Sequence, residues 1–227
     1  SFKLMDNLRA LENDLKLKRY EHGSYEAFNI NDPKPRNIHK ATIRDRLLHH
    51  AIYRVLYPFF DRKFISDSYS CRIGRGTHKA IRRFKKFAHQ ISANNTKTVW
   101  ILKCDIRKFF ASVDHDILIK IIRKHVLDEE IVWLLTIVIS SFSSTKKCVG
   151  LPLGNLTSQL LVNIYMNEFD RWMKHRMKVR HYIRYADDFV ILSNDKDRLL
   201  ELTPKIADFL EESLRLSLHP QKVFIST

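Results

Sequence analysis

Asp187 and Asp188 stand side by side in Tyr185-Ala186-Asp187-Asp188, between His181-Tyr182-Ile183-Arg184 and Phe189-Val190-Ile191-Leu192. Two short runs rich in β-branched and aromatic residues around a polar break predict a hairpin with carboxylates at its turn. Asp favours turns on its own account, so a plain polar hairpin tip explains the pair about as well. Asp105 shifts the balance. It ends a second strand-like run, Val99-Trp100-Ile101-Leu102-Lys103-Cys104, and is followed by Ile106-Arg107-Lys108-Phe109-Phe110. A strand delivering Asp105 to the same place would add a third carboxylate. Three such groups repel one another unless a cation joins them, and hard oxygen ligands suit Mg²⁺. Two ions about 4 Å apart can activate a hydroxyl and steady the leaving oxygen of an in-line phosphoryl displacement. The trio therefore points to nucleotidyl transfer or phosphodiester hydrolysis.

The elements that must position these groups follow from periodicity. Leu4, Leu8, Leu11 and Leu15 predict an amphipathic helix within residues 1–20, and Tyr25 to Ile30 a strand that Pro33-Lys34-Pro35-Arg36 stops. Ile43, Leu47, Leu48, Ala51, Ile52, Val55, Leu56 and Phe59 form one helical stripe, with Arg44, Arg46, His49, His50 and Arg54 on the other face. Asp67 to Gly76 is a loop. Thr77 caps a helix whose predicted buried stripe is Ala80, Ile81, Phe84, Phe87, Ala88 and Ile91, while Lys79, Arg82, Arg83, Lys85, Lys86 and His89 crowd its outer side. Further helices are expected over 112–126 and 129–139. A long one follows Gly150-Leu151-Pro152-Leu153-Gly154-Asn155, and the last runs from Asp195 to Leu216 with an interruption at Pro204. A strand is expected within Leu216 to Ile225.

A chain of 227 residues with 44% hydrophobic content can bury a substantial core. Its formal net charge of +15 calls for a polyanionic partner. No apolar run reaches the roughly 20 residues that span a bilayer, so no membrane partner is expected. Three cysteines without metal-type spacing and the lack of a visible signal peptide lead to the expectation of reduced thiols and a cytoplasmic location.

The segments Leu102 to Phe110, Gly150-Leu151-Pro152-Leu153-Gly154-Asn155-Leu156-Thr157-Ser158-Gln159 and Arg184-Tyr185-Ala186-Asp187-Asp188, in that order, resemble the polymerase motifs of bacterial reverse transcriptases. The likeness is greatest to the enzymes of diversity-generating retroelements, with group II intron enzymes as near relatives, and it runs from about Pro33 to the C-terminus. It implies an α/β (α+β) right-hand polymerase fold with an antiparallel palm sheet and flanking helices. Residues 1–98 and 114–148 would be fingers, and 99–113 and 149–227 palm. A helical thumb has no room after Thr227 and is expected to be absent.

The resemblance also assigns roles. Asp105, Asp187 and Asp188 would bind two Mg²⁺, with Mn²⁺ able to substitute and the Ile106 carbonyl an extra ligand. Lys222 would protonate the departing pyrophosphate, although a plain surface lysine is as good a reading. Arg36, Lys40 and Arg44 would cover the incoming triphosphate, and Phe110 would act as a steric gate against a 2′-hydroxyl. Gly154 and Leu153 would lie against the nascent base pair; most relatives have Gln where Leu153 stands, and Leu can neither donate nor accept a hydrogen bond. Discrimination would then rest on shape, which yields only about 1–3 kcal/mol, and low fidelity is expected. Arg72, Arg75, Lys79, Arg82 and Tyr185 are the candidate nucleic-acid contacts. The implied partners are an RNA template, a DNA primer, deoxynucleoside triphosphates and an accessory protein. A group II intron-type enzyme with a maturation role, a metal-dependent nuclease and a non-catalytic RNA-binding module are the rival readings.

Overall fold

The computed structural model describes residues 2–31 and 35–227, so the stop expected at Pro33-Lys34 lies outside the described residues. Helix α1 covers Phe2–Lys16 and buries Leu11. Strands β1 (Glu26–Ile30) and β2 (Arg36–Lys40) form an exposed antiparallel ribbon; β2 is too short and polar to stand out in the sequence. The helices α2 (Ile43–Asp61) and α3 (Thr77–Ile91) follow. Strand β3 is Trp100–Asp105; the short α4 (Phe109–Ser112) precedes α5 (His115–Arg123), and α6 is Glu129–Ser140. Helix α7 (Leu156–Arg171) runs on through a π-helical turn at Trp172–Arg176. Strands β4 (Tyr182–Tyr185) and β5 (Asp188–Ser193), helix α8 (Lys196–Leu214) and strand β6 (Phe224–Ser226) complete the chain.

The second sheet has the order β4-β5-β3-β6, antiparallel throughout. Leu102, Cys104, Phe189 and Ile191 face the large core built with α7 and α8, where Leu160, Tyr165, Phe169, Ile206 and Leu210 are buried. On the other side of the sheet, α3 lies over Ile183 and Leu192 through Phe84, Phe87 and Ile91. The sheet is thus packed on both faces, and the carboxylates emerge at its β3–β5 strand end.

Several expectations need correction. In α2 the buried positions are Leu48, Ile52, Leu56, Tyr57 and Phe60, with His49 buried as well, whereas Ile43 and Val55 are exposed. The buried stripe is thus rotated toward α7, and His49 belongs to it. In α3 only Phe87 is fully buried and Ile81 is exposed. Gly76, at φ +123°, is the residue before that helix, and Thr77 is its first residue rather than its cap. Helix α8 is continuous through Pro204. That proline and Leu200 four residues earlier are both exposed, so water can take the carbonyl that the missing N–H leaves free. The final strand is shorter than expected because residues 217–222 first cross the end of β3: Arg107 N–H donates to Ser217 O (2.9 Å) and His219 N–H to Asp105 O (2.8 Å).

Candidate active site at the end of the four-stranded sheet

Register decides the site. In the β3–β5 pairing, Asp105 lies directly opposite Asp188, and Tyr185 pairs with Asp188 across the hairpin. Ala186 and Asp187 are left as the turn, as the sequence predicts, and the Asp187 carbonyl accepts from Ile106 N–H (3.3 Å). Like charges directly opposite each other on antiparallel strands are destabilising by about 0.2–1 kcal/mol. Burial raises the Asp187 carboxyl above its ordinary pKa and the charges of Asp188 and Asp105 add to this, against the pull of its own backbone N–H.

Lys222 supplies the cation present in the protein itself. It sits in the turn before β6, and its Nζ donates to Asp105 Oδ2 at 2.9 Å, which raises the lysine pKa and keeps it charged through neutral pH. Among the described residues, no three His, Cys, Asp or Glu side chains form a ready-made metal cage. The carboxylates share a strand end without converging, as mutual repulsion and the hold of Lys222 on Asp105 dictate. Their chemistry fits a divalent cation all the same: three hard oxygen donors, two of them in direct opposition, call for positive charge. The bridge between Ile106 and Leu218 is made by Arg107 N–H to Ser217 O and by His219 N–H to Asp105 O.

The turn is held from behind by contacts that the sequence does not show. Ala186 adopts φ +56°, a left-handed conformation that costs an L-residue roughly 1–2 kcal/mol. Its carbonyl accepts from Arg184 Nη1 at 3.0 Å. Arg184 is 1% exposed and fully engaged: Nε and Nη2 meet the two oxygens of Asp170 at 2.8 and 2.7 Å, and Nη2 also reaches Ser68 Oγ at 3.1 Å. Tyr182 O–H donates to the same carboxylate at 2.7 Å. The available signal was a charged residue on the inward face of a strand, two positions from Tyr182, together with an Asp in the otherwise apolar α7.

A second constellation surrounds Phe110. Leu151 N–H donates to Phe110 O and Gly150 N–H to Val113 O, both at 2.7 Å, so the Gly-Leu-Pro-Leu-Gly loop is laced onto the segment after β3. Gly150 has φ +105°, and a Cβ there would meet Ser144 at 2.8 Å. At the other end of the loop, Leu153 O accepts from His39 N–H (2.9 Å) and Asn155 Nδ2 donates to His39 O (2.7 Å). Gly154 lies so close to β2 that a Cβ would come within 2.6 Å of Ile38. Side chains alternate along a strand, so Arg36 and Lys40 share a ribbon face with Ile38 and flank the loop that carries Leu153. Arg36 and Lys40 are exposed, the latter in a surface pair with Glu26. Phe110 is half-buried against Phe109.

Two candidates are not brought to any such place. Arg44 is drawn toward α1: it pairs with Asp14 (2.7 Å), donates to Glu21 O and lies over the Tyr20 ring. Arg72 is buried in a structural role, bonded to Asp61 at 2.7 Å and to the carbonyls of Ile65 and Ser68. Arg75 reaches Ser66 O, Lys79 donates to Gly74 O, and Arg82 is exposed. Tyr185 is exposed, and its hydroxyl accepts from Thr77 at 3.2 Å, tying the start of α3 to the acidic hairpin.

The antiparallel sheet with paired carboxylates at its end and helices behind it agrees with the mixed α/β fold that the motifs imply. Residues 30–227 match the family described as reverse transcriptase (RNA-dependent DNA polymerase), and the chain belongs to that family. It is 28% identical over 222 residues to protein YkfC of Escherichia coli K12, covering 81% of this chain and 57% of that protein. With the group II intron-encoded protein LtrA of Lactococcus lactis it shares 21% identity, over 86% of this chain and 43% of the relative. The chain thus spans about half the length of these two curated relatives. Apo telomerase from Candida tropicalis, truncated from its C-terminal domain, has the same fold at a TM-score of 0.66 and 13% identity, covering 90% of this chain and 49% of that one.

Proposed function

We propose that this chain is the fingers and palm of an RNA-directed DNA polymerase. The observation that carries the reading is the direct opposition of Asp105 and Asp188 beside Asp187. Asp105, Asp187 and Asp188 would hold divalent metal, which would activate the primer 3′-hydroxyl and stabilise the leaving pyrophosphate. The chain's own residues do the positioning that dominates phosphoryl transfer. Asp105, Asp187 and Asp188 fix where positive charge sits, and Lys222, released from Asp105, is placed to protonate the pyrophosphate. Arg36 and Lys40 on the ribbon neutralise the triphosphate, while Phe110 and the Leu153 loop shape the sugar and base pocket.

Leu153 supports a low-fidelity enzyme of the diversity-generating type, because an aliphatic side chain against the base pair leaves selection to shape. The relatives named for group II introns support an intron-type polymerase instead. Both readings predict Mg²⁺-dependent primer extension on RNA that Asp187→Ala/Asp188→Ala abolishes. No extension by the wild type, or extension indifferent to the double substitution, overturns the polymerase. Sequencing the products separates the two types: the diversity-generating reading expects errors at template adenines that fall in Leu153→Gln, and an unchanged error spectrum goes against it.

A further inference from the structure

Helix α3 links two places. Its first residue touches the acidic hairpin through Thr77 and Tyr185. Its last residues, Gln90 and Ile91, line a cleft of about 400 Å³ at the opposite end of β5, together with Lys178, Arg180, His181 and Arg198. Fifteen residues at 1.5 Å each put these ends about 22 Å apart. Between them α3 exposes Lys79, Arg82, Lys85 and Lys86 and contains no Asp or Glu. The chain does supply carboxylates where a base is structural: Asp67 takes both Arg83 and Lys174, at 2.8 and 2.9 Å. Lys178, Arg180 and Arg198 are exposed and make no ion pair among the described residues. The nearby Asp195 carboxylate is engaged by the Arg198 backbone N–H at 3.1 Å, as the cap of α8.

We propose that this rear cleft, framed by Lys178, Arg180 and Arg198, holds the phosphodiester backbone of RNA outside the active site, at the end of a basic track laid by α3. The proposal rests on the polymerase reading for its choice of RNA. Like charges at helical spacings destabilise α3, and nothing on α3 itself compensates; a polyanion along its outer face does. His181 on the cleft wall has its pKa lowered, first by burial and then by Arg180, Lys174 and Arg83, with Asp67 opposing. Apolar residues Ile191, Leu192 and Leu199 form the floor, giving a recess that takes a sugar-phosphate between exposed bases. A lipid surface would instead select a face with bases around protruding apolar side chains.

The test is fluorescence anisotropy of a labelled single-stranded RNA of about 30 nucleotides across a salt series, comparing wild type with Lys178→Ala/Arg180→Ala/Arg198→Ala. Each lost phosphate contact lowers the slope of log K against log salt by about 0.7 for a single strand, so the slope should fall by about 2. Affinity at low salt should drop at least tenfold. Lys16→Ala/Lys120→Ala/Lys205→Ala, a loss of equal charge elsewhere on the surface, should change the slope by less than half as much. Equal slopes for wild type and the cleft variant, or equal effects of the two triple variants, overturn the proposal. So does a cleft variant that loses binding to phosphatidylserine vesicles while keeping the RNA slope. Primer extension by the wild type is read separately: its absence, with the slope difference intact, removes the polymerase and leaves the RNA cleft standing.

Discussion

Replacing Arg184 by Met removes the guanidinium and keeps most of the buried volume. Asp170, which is 0% exposed, is then an uncompensated carboxylate to which, among the described residues, only the Tyr182 hydroxyl is bonded. Breaking a buried pair from one side typically costs about 3–5 kcal/mol. For a domain of this size 1 kcal/mol shifts the melting temperature by about 2–4 °C, so the loss should be on the order of 10 °C. Arg184→Met/Asp170→Asn removes both charges and keeps an acceptor for Tyr182, so it should melt well above the single variant. Catalysis should not recover with it. The Ala186 carbonyl still lacks its donor, the left-handed turn is free to relax, and a displacement of about 1 Å at Asp187 can cost on the order of a hundredfold in rate. The assays are thermal melting and single-nucleotide incorporation on saturating primer–template. A single variant that melts within 2 °C of wild type, or a double variant that incorporates at the wild-type rate, would refute the positioning role of Arg184.

The carboxylate cluster makes a prediction about metal removal. In EDTA at pH 7, Asp187→Asn should melt a few °C above wild type, because burial and the charges of Asp188 and Asp105 disfavour the ionised form in the folded state. A carboxyl with a raised folded pKa opposes folding only above the ordinary carboxylate range, so the difference should vanish near pH 3. Adding Mg²⁺ should raise the wild-type melting temperature more than the variant's; equal responses would speak against metal binding here. The buried His49 predicts acid sensitivity. Burial, then His22, hold its pKa at about 4, while Asp45 opposes them and His50 adds to them. The unfolded chain takes up this proton near pH 6.5, so stability is full above that value and falls by about 3 kcal/mol by pH 4. His49→Leu should flatten that part of the pH–stability curve measured by urea unfolding, and an unchanged fall would place its origin elsewhere.

The carboxylates were legible because each stands at the end of a short run with unmistakable strand composition, and strand ends are local. What escaped the sequence is pairing across distance. Arg44 and Arg72 read as phosphate contacts, the first from its motif and the second from the glycines beside it, because their partners Asp14 and Asp61 are remote in sequence, 30 and 11 residues away. Arg184 was read only as part of a motif, since no periodicity says that Asp170, Asn163 and Ser68 converge on it from two other segments. Strand β2 escaped for the same reason: four of its five residues are polar, and its anchor is the Leu153 loop more than 110 positions on. Helix α3 shows the limit from the other side. Its apolar positions gave the packed face correctly at Phe84, Phe87 and Ile91, yet Ile81 is exposed and Arg83 is paired. Periodicity fixes which way a side chain turns, and the rest of the fold decides whether an acid, a sheet or solvent waits there. Among the bases of α3, the ones the fold leaves unpaired are therefore the informative ones. They lead from the acidic hairpin toward Lys178, Arg180 and Arg198, a direction that hydrophobic pattern alone could not give.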